Sequence, residues 1–269
     1  MDFAAFGNLG DMALLAALAS TRFAVAFLLL PVLAQETVPA TVRGALFLGF
    51  GVITLAVQPL LDVNGLTAQQ WLLLFAKEAF LGLAMGAMLA AVLWAFHAAG
   101  EIVDGASGMS MAQIVDPLSG RQTSLTGAFL GRLAVFMFMF SGGMLLWVGA
   151  LMESFALWPL GQMNLLPKRE GVVVFEGVFS HFASLMFVLA APALVMLYMI
   201  DLSLGLMNRY APQLNLLPIS SSLKGLAAVL AWVVMLSTVV HTLTEQIGEL
   251  MTQLLQRLQT ISLDRKSVV

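Results

Sequence analysis

FASLMFVLAAPALVMLYMI, residues 182–200, runs for 19 positions without a charged side chain. About 20 mostly apolar residues in a helix span the hydrocarbon of a bilayer. A membrane β-strand would instead alternate apolar and polar with period two, and this stretch does not. Five more runs of the same kind stand at Met12–Ala34, Gly44–Leu61, Ala79–Phe96, Leu133–Leu151 and Leu226–Val240. The second is short and carries Pro59, and the last is shorter still. Arg22 interrupts the first, Lys77 and Glu78 precede the third, and Arg132 precedes the fourth. The pattern predicts an all-α integral membrane protein with about six apolar helices in hairpins.

The whole composition agrees. Of 269 residues, 60% belong to the AVILMFWYC set and 10% are charged, against about 25% charged in ordinary soluble domains. A water-soluble fold of this size lacks the interior to hide that much apolar surface. Soluble globular and disordered chains are excluded. The net charge of −3 with no basic cluster leaves nucleic acid nothing to dock on. The absence of Cys excludes disulfides, thiolate metal sites and cysteine nucleophiles. The N-terminus, with Asp2, Asp11 and an interrupting Arg22, does not read as a signal peptide, although Ala17-Leu18-Ala19 faintly resembles a cleavage site.

Beyond the sixth run, Leu243, Ile247, Leu250, Leu254, Leu258 and Ile261 recur at helical spacing between polar residues. This predicts an amphipathic helix over about 241–262, suited to a partner helix more than to anionic lipid. Residues 1–262 form a single helical membrane domain in this reading, with 263–269 a frayed tail. Orientation is not decided by charge. With six spans, Lys77, Lys168, Arg169, Arg257, Arg265 and Lys266 fall on one side, and Arg43, Arg121, Arg132, Arg209 and Lys224 on the other, so the positive-inside rule is balanced.

Chemistry concentrates between His97 and Gly131. Gly100, Gly105, Gly108, Gly120, Gly127 and Gly131 stand among Glu101, Asp104, Asp116-Pro117, Met109 and Met111. Glycine frees the backbone and the residue before proline avoids helix. A bent loop or broken hairpin is expected over about 100–126, buried by protein or lined by water if it lies at membrane depth. An ordinary exposed glycine-rich connector is the plainer alternative. Gly105-Ala106-Ser107-Gly108 resembles the nucleophile loop of rhomboid proteases, but neither His181 nor His241 lies in a glycine-rich helix that would form the dyad. The three histidines are too scattered for a metal site and are expected to find backbone partners. No catalytic residue, metal or cofactor is expected.

GxxxG pairs at Gly82/Gly86 and Gly127/Gly131 predict close helix approach. Lys77 and Glu78, about 100° apart on a helix, are not expected to pair with each other, so Glu78 needs another partner or water. Asp201, Gly205 and Arg209 share a drifting face that leads into Ala211-Pro212-Gln213-Leu214-Asn215, a polar break.

In order and spacing, Lys77-Glu78, Gly82, Gly86, Gly100, Asp104, Gly108, Ala112, Asp116-Pro117 and Gly120 resemble the first motif block of the FliR/SctT family. Pro192, Asp201, Gly205, Arg209, Ala211-Pro212-Gln213, Asn215 and Lys224 resemble the second. The family supplies inner-membrane components of the bacterial type III secretion export apparatus. The resemblance implies a non-enzymatic gate subunit, one copy per helical hetero-oligomeric assembly partly raised out of the bilayer plane. Its implied partners are SctR/FliP-like and SctS/FliQ-like membrane subunits, an SctU/FlhB-like switch subunit, membrane lipid, and secreted unfolded polypeptides in transit. The family's plug loop carries over to Asp104, Gly105, Ser107, Gly108, Met109, Met111, Asp116, Pro117 and Gly120. Lys77, Glu78, Asp201, Arg209, Gln213, Asn215 and Lys224 become assembly or lumen polar contacts. Asn208–Asn215 looks more like the virulence (injectisome) branch than the flagellar one, departing from it at Leu216-Leu217-Pro218 and Ser220–Ser222. The competing reading from the residues alone is a stand-alone small-solute transporter or channel, with Glu78, Asp104 and Asp201 coordinating solute.

Overall fold

The computed structural model describes residues 9–33, 38–57, 66–108, 114–115, 122–161, 169–210 and 216–267. Its elements are α1 (Leu9–Leu28), a 3-10 turn at Pro31–Leu33, α2 (Ala40–Val57), α3 (Ala68–Ser107), β1 (Ile114–Val115), β2 (Gln122–Thr123), α4 (Leu125–Phe140), α5 (Gly143–Leu157), α6 (Arg169–Tyr210) and α7 (Leu216–Ser267). The chain is an all-α membrane protein, with one two-residue antiparallel ladder pairing Ile114 with Thr123 and Val115 with Gln122.

Four helices are long and apolar enough to cross a membrane, within Gly10–Leu28, Ala68–Ser107, Glu176–Tyr210 and Ile219–Glu249; α4 and α5 taken as one broken span would make five. The expected spans differ from these in four places. The second run falls on α2, whose apolar part among the described residues, Ala40–Ala56, is too short to cross a membrane. The run Leu133–Leu151 is broken at Ser141-Gly142, where Gly142 has φ +78°, a left-handed conformation that glycine adopts without the Cβ penalty. The sixth run and the amphipathic segment are one 52-residue helix, α7, which continues through the expected tail to Ser267. Helix α3 carries on for 40 residues to Ser107, through the part of the glycine-rich stretch that was expected to bend.

The helices gather into two compact units. The first comprises residues 1–90, 142–178 and 250–269. Here α1 packs on α2 through aromatic pairs: Phe23 and Phe50 have ring centroids 5.5 Å apart, and Phe27 and Phe47 5.6 Å. Leu18, Ala19, Phe23, Ala26, Leu74, Leu151 and Phe155 are buried. A Cβ on Gly82 would lie 2.5 Å from the Arg22 carbonyl oxygen, so the first GxxxG pair is where α3 meets the α1 backbone.

The second unit comprises residues 91–141 and 179–249. Leu93, Phe96, Ala99, Val103, Leu130, Ala134, Leu189, Ala193, Leu197, Ala228 and Val239 are buried in it. Outward, α6 and α7 expose Val188, Val195, Tyr198, Met199, Leu202, Leu226, Val229, Val233 and Val234. Contiguous apolar surface of that extent is what lipid or a membrane partner covers.

Candidate functional site

Two polar constellations are built into the apolar helices, one in each unit.

In the first unit Arg22 is fully buried, the one charged residue of α1 besides Asp11. Its guanidinium spends each of its nitrogens on a different partner. Nε donates to Glu78 Oε2 at 2.7 Å, Nη1 to Ser154 Oγ at 2.7 Å, and Nη2 to the Trp158 carbonyl at 3.0 Å. The group lies 3.7 Å over the Phe155 ring, a favourable cation–π placement once water is excluded. Glu78, equally buried, takes its second cation from Lys77, whose Nζ lies 2.9 Å from Oε1. Lys77 Nζ also donates to the Pro159 and Leu160 carbonyls at 2.7 and 3.0 Å.

These contacts follow one rule. The last carbonyls of a helix have no intrahelical donor and carry the negative end of its dipole. Helix α5 ends at Leu157, and the carbonyls of Trp158, Pro159 and Leu160 just beyond it are met by two cations. Glu78 then balances those cations. The expectation that Lys77 and Glu78 cannot pair is corrected: the long lysine side chain covers the angular gap and reaches its neighbour's carboxylate. Both are buried and partnered within this chain. Arg22, Ser154 and Trp158 were missed as members. The signal was there in part, because a lone arginine inside an apolar run needs a carboxylate, and Glu78 was a carboxylate lacking an obvious cation.

In the second unit Asp104 organises the turn between α3 and α4. Its Oδ2 accepts from Ser124 Oγ at 2.7 Å and from the Thr126 amide at 2.9 Å; its Oδ1 accepts from Thr126 Oγ1 at 2.5 Å. Ser124 is the N-cap of α4, its hydroxyl oxygen accepting from the Gly127 amide at 2.9 Å. A carboxylate at the open amides of a helix N-terminus is favourable through hydrogen bonds and the dipole alike. The backbones come close here, since a Cβ on Gly100 would be 2.5 Å from the Gly127 nitrogen. His97 Nδ1 bonds the Gly127 carbonyl at 2.7 Å, and its Nε2 faces Glu101 at 3.3 Å.

Gly108 closes α3 with φ +79°, the left-handed C-cap that glycine favours. Ser107 Oγ donates to the Asp104 carbonyl at 2.9 Å, so the hydroxyl of the rhomboid-like string serves the helix end. His181 Nε2 is paired with Gln246 and His241 Nδ1 with Glu245. Asp104, Gly105 and Ser107 therefore lie on the last turn of a helix, and Gly108 on its cap. Met109, Met111, Asp116, Pro117 and Gly120 lie outside the described residues, as do Gln213 and Asn215. Among the described residues, no three His, Asp or Glu side chains gather as metal ligands.

The second motif block meets the first at the end of α3. Lys224 Nζ, on α7, lies 3.0 Å from Asp201 Oδ1 and 3.3 Å from Oδ2, and donates to the Ala106 carbonyl at 3.3 Å. Arg209 is exposed in the last turn of α6.

The profile of the family described as bacterial export proteins, family 1, matches residues 13–250. The chain is 31% identical over 229 residues to Yop proteins translocation protein T of Yersinia pestis, covering 80% of this chain and 85% of that protein. It is 28% identical over 220 residues to surface presentation of antigens protein SpaR of Shigella flexneri, with 81% and 83% covered. Against flagellar biosynthetic protein FliR of Escherichia coli the identity is 27% over 236 residues, with 86% and 88% covered. The relatives thus include both secretion-apparatus and flagellar export components. The match spans both polar constellations, and the chain belongs to the bacterial export proteins, family 1, the FliR/SctT family of type III export-apparatus components.

Proposed function

We propose that this chain is a gate subunit of a type III protein export apparatus in the bacterial inner membrane, and that the stretch Asp104–Gly120 is its plug. The plug reading rests on one observation. Asp104 on the outgoing helix holds Ser124 and Thr126 on the returning one, so the segment leaves and re-enters the helical body at one fixed base. SctR/FliP-like and SctS/FliQ-like subunits, with an SctU/FlhB-like switch subunit, complete the channel for unfolded polypeptides in this reading. The apolar faces of α6 and α7 offer them surface, with Asp201 and Arg209 exposed among them.

An injectisome assignment is supported by the stretch Asn208–Asn215, and by 31% identity to the Yop translocation protein against 27% to the flagellar one. The chain acts here by binding and gating, without a chemical step of its own.

The test has two parts. Gentle extraction from native membranes followed by native mass spectrometry should give one copy with several copies of two small membrane proteins. A stable monomer or homo-oligomer would instead make the chain a self-contained transporter. Deleting residues 109–113, which leaves the Asp104 base intact, should keep that stoichiometry and make the complex leak ions in planar bilayers. A tight bilayer would remove the plug assignment.

A further inference from the structure

We propose that the outward stripe of α4, centred on Arg132, is the docking face for an apolar helix of a partner subunit that carries an aspartate or glutamate near its middle; this deepens the assembly reading above and rests on it.

Helix α4 has two opposed faces. Gly127, Leu130, Ala134 and Phe138 are buried. Leu125, Phe129, Phe136, Met139 and Phe140 are exposed, and this outward set is the bulkier and more aromatic of the two. A helix facing water would carry polar residues there. The only charged residue of α4 is Arg132, eighth of its 16 residues. It is exposed, three positions after Phe129 and four before Phe136, so the three share one face. Among the described residues no carboxylate pairs with it and no carbonyl accepts from it.

That isolation sets Arg132 apart from Arg22 and Lys77, whose charges are met within the chain. Either end of α4 is about 10–12 Å away along the axis. A cation at that distance from the ends of an apolar helix is costly against hydrocarbon and calls for an anion at its own level. A carboxylate on a facing helix meets that need, whereas a lipid phosphate stays at the headgroup level. The planar guanidinium fork also matches a carboxylate in two parallel bonds. Aromatic and arginine side chains are the ones that dominate interface energetics. The face is held ready as well. Ser124, itself held by Asp104, caps the first turn of α4, and the Ser141 amide donates to the Met137 carbonyl at the other end. Little ordering is left to be lost on docking.

The test replaces Phe136, one turn from Arg132, with photoreactive p-benzoylphenylalanine. The complex is irradiated in its native membranes and extracted gently, and the adduct is sequenced by mass spectrometry. The expected adduct is an apolar helix with an Asp or Glu within two turns of the crosslink. Arg132→Glu should lower recovery of that subunit with the chain by about tenfold or more, and changing the partner's carboxylate to arginine should then restore it. Arg132→Lys keeps the charge without the fork and should lose less than Arg132→Gln. Adducts to phospholipid alone, or to a helix without a carboxylate there, would overturn the proposal. So would undiminished recovery with Arg132→Glu, or a reversed partner charge that restores nothing; each leaves the assembly reading standing. Should Arg132→Glu fail to accumulate, Arg132→Gln decides, with a clear loss of the partner supporting the docking face and full recovery overturning it. If no membrane subunit accompanies the unaltered chain, the assembly reading and the docking face fall together.

Discussion

Replacing Arg22 with Met, Glu78 with Met, and both at once should give losses of stability far from additive. The Nε–Oε2 separation is 2.7 Å with both side chains fully buried. At an effective dielectric near 20 the attraction is about 6 kcal/mol, before a desolvation cost of several kcal/mol for each ion. Glu78→Met leaves buried cations without their carboxylate, which costs about 3–5 kcal/mol; Arg22→Met leaves Glu78 with Lys77 as its remaining cation and costs less. Glu78→Met sits at the upper end, because it strands Lys77 as well as Arg22. The double variant removes both desolvation costs. It still leaves Lys77 without its carboxylate, held only by the Pro159 and Leu160 carbonyls, and the Trp158 carbonyl without the guanidinium, while Ser154 Oγ keeps its bond to the Leu151 carbonyl. The double loss should therefore fall short of the sum of the singles by about 2 kcal/mol or more. Unfolding of the purified chain in mixed micelles at rising denaturing-detergent fraction, followed by far-UV circular dichroism, measures all four corners of the cycle. Additivity to within about 0.5 kcal/mol would refute the argument that these residues form one electrostatic unit.

Other outcomes follow from the same contacts. Asp104→Ala should cost about 1–2 kcal/mol as a lost helix cap and speed amide exchange in the first turn of α4; unchanged protection there would contradict the capping role. Asp104→Asn keeps an acceptor and should lose less. Gly82→Ala places a Cβ 2.5 Å from the Arg22 carbonyl and should destabilise the chain by about 1–3 kcal/mol. Gly205→Ala, with nothing within 4 Å of the new atom, should stabilise it by about 0.5–1 kcal/mol; equal effects in the same unfolding assay would rule out close packing at Gly82.

The apolar runs were legible because length and hydrophobicity mark a candidate span, and among the described residues each falls mainly on helix, Leu133–Leu151 on two. Breaks and continuations were harder to see. The glycines at 100 and 105 suggested a bend, yet α3 runs straight through them, since an isolated glycine weakens a helix without ending it. Conversely, Ser141-Gly142-Gly143 lay unremarked inside an apolar run and divides it. Glu78 was recognisable as a carboxylate in need of a cation, but its partner lies 56 residues away, and only packing identifies it. Asp104 could be selected from its motif, whereas its cap on Ser124 and Thr126 depends on two helices returning side by side. Lys224 and Asp201 were likewise visible as separate motif members, with no local signal that they share the end of α3.

Arg22 also sets an order of events during synthesis. It leaves the ribosome 56 residues ahead of Glu78 and 132 ahead of Ser154. At about 5–20 residues per second, roughly 3–11 s pass before its carboxylate has even been made. An arginine at the centre of a lone spanning helix carries an insertion penalty of about 2.5–3.5 kcal/mol. As a lone span the first helix would thus be disfavoured until the third supplies Glu78, and the buried ion pair bears on biogenesis as well as on the finished fold.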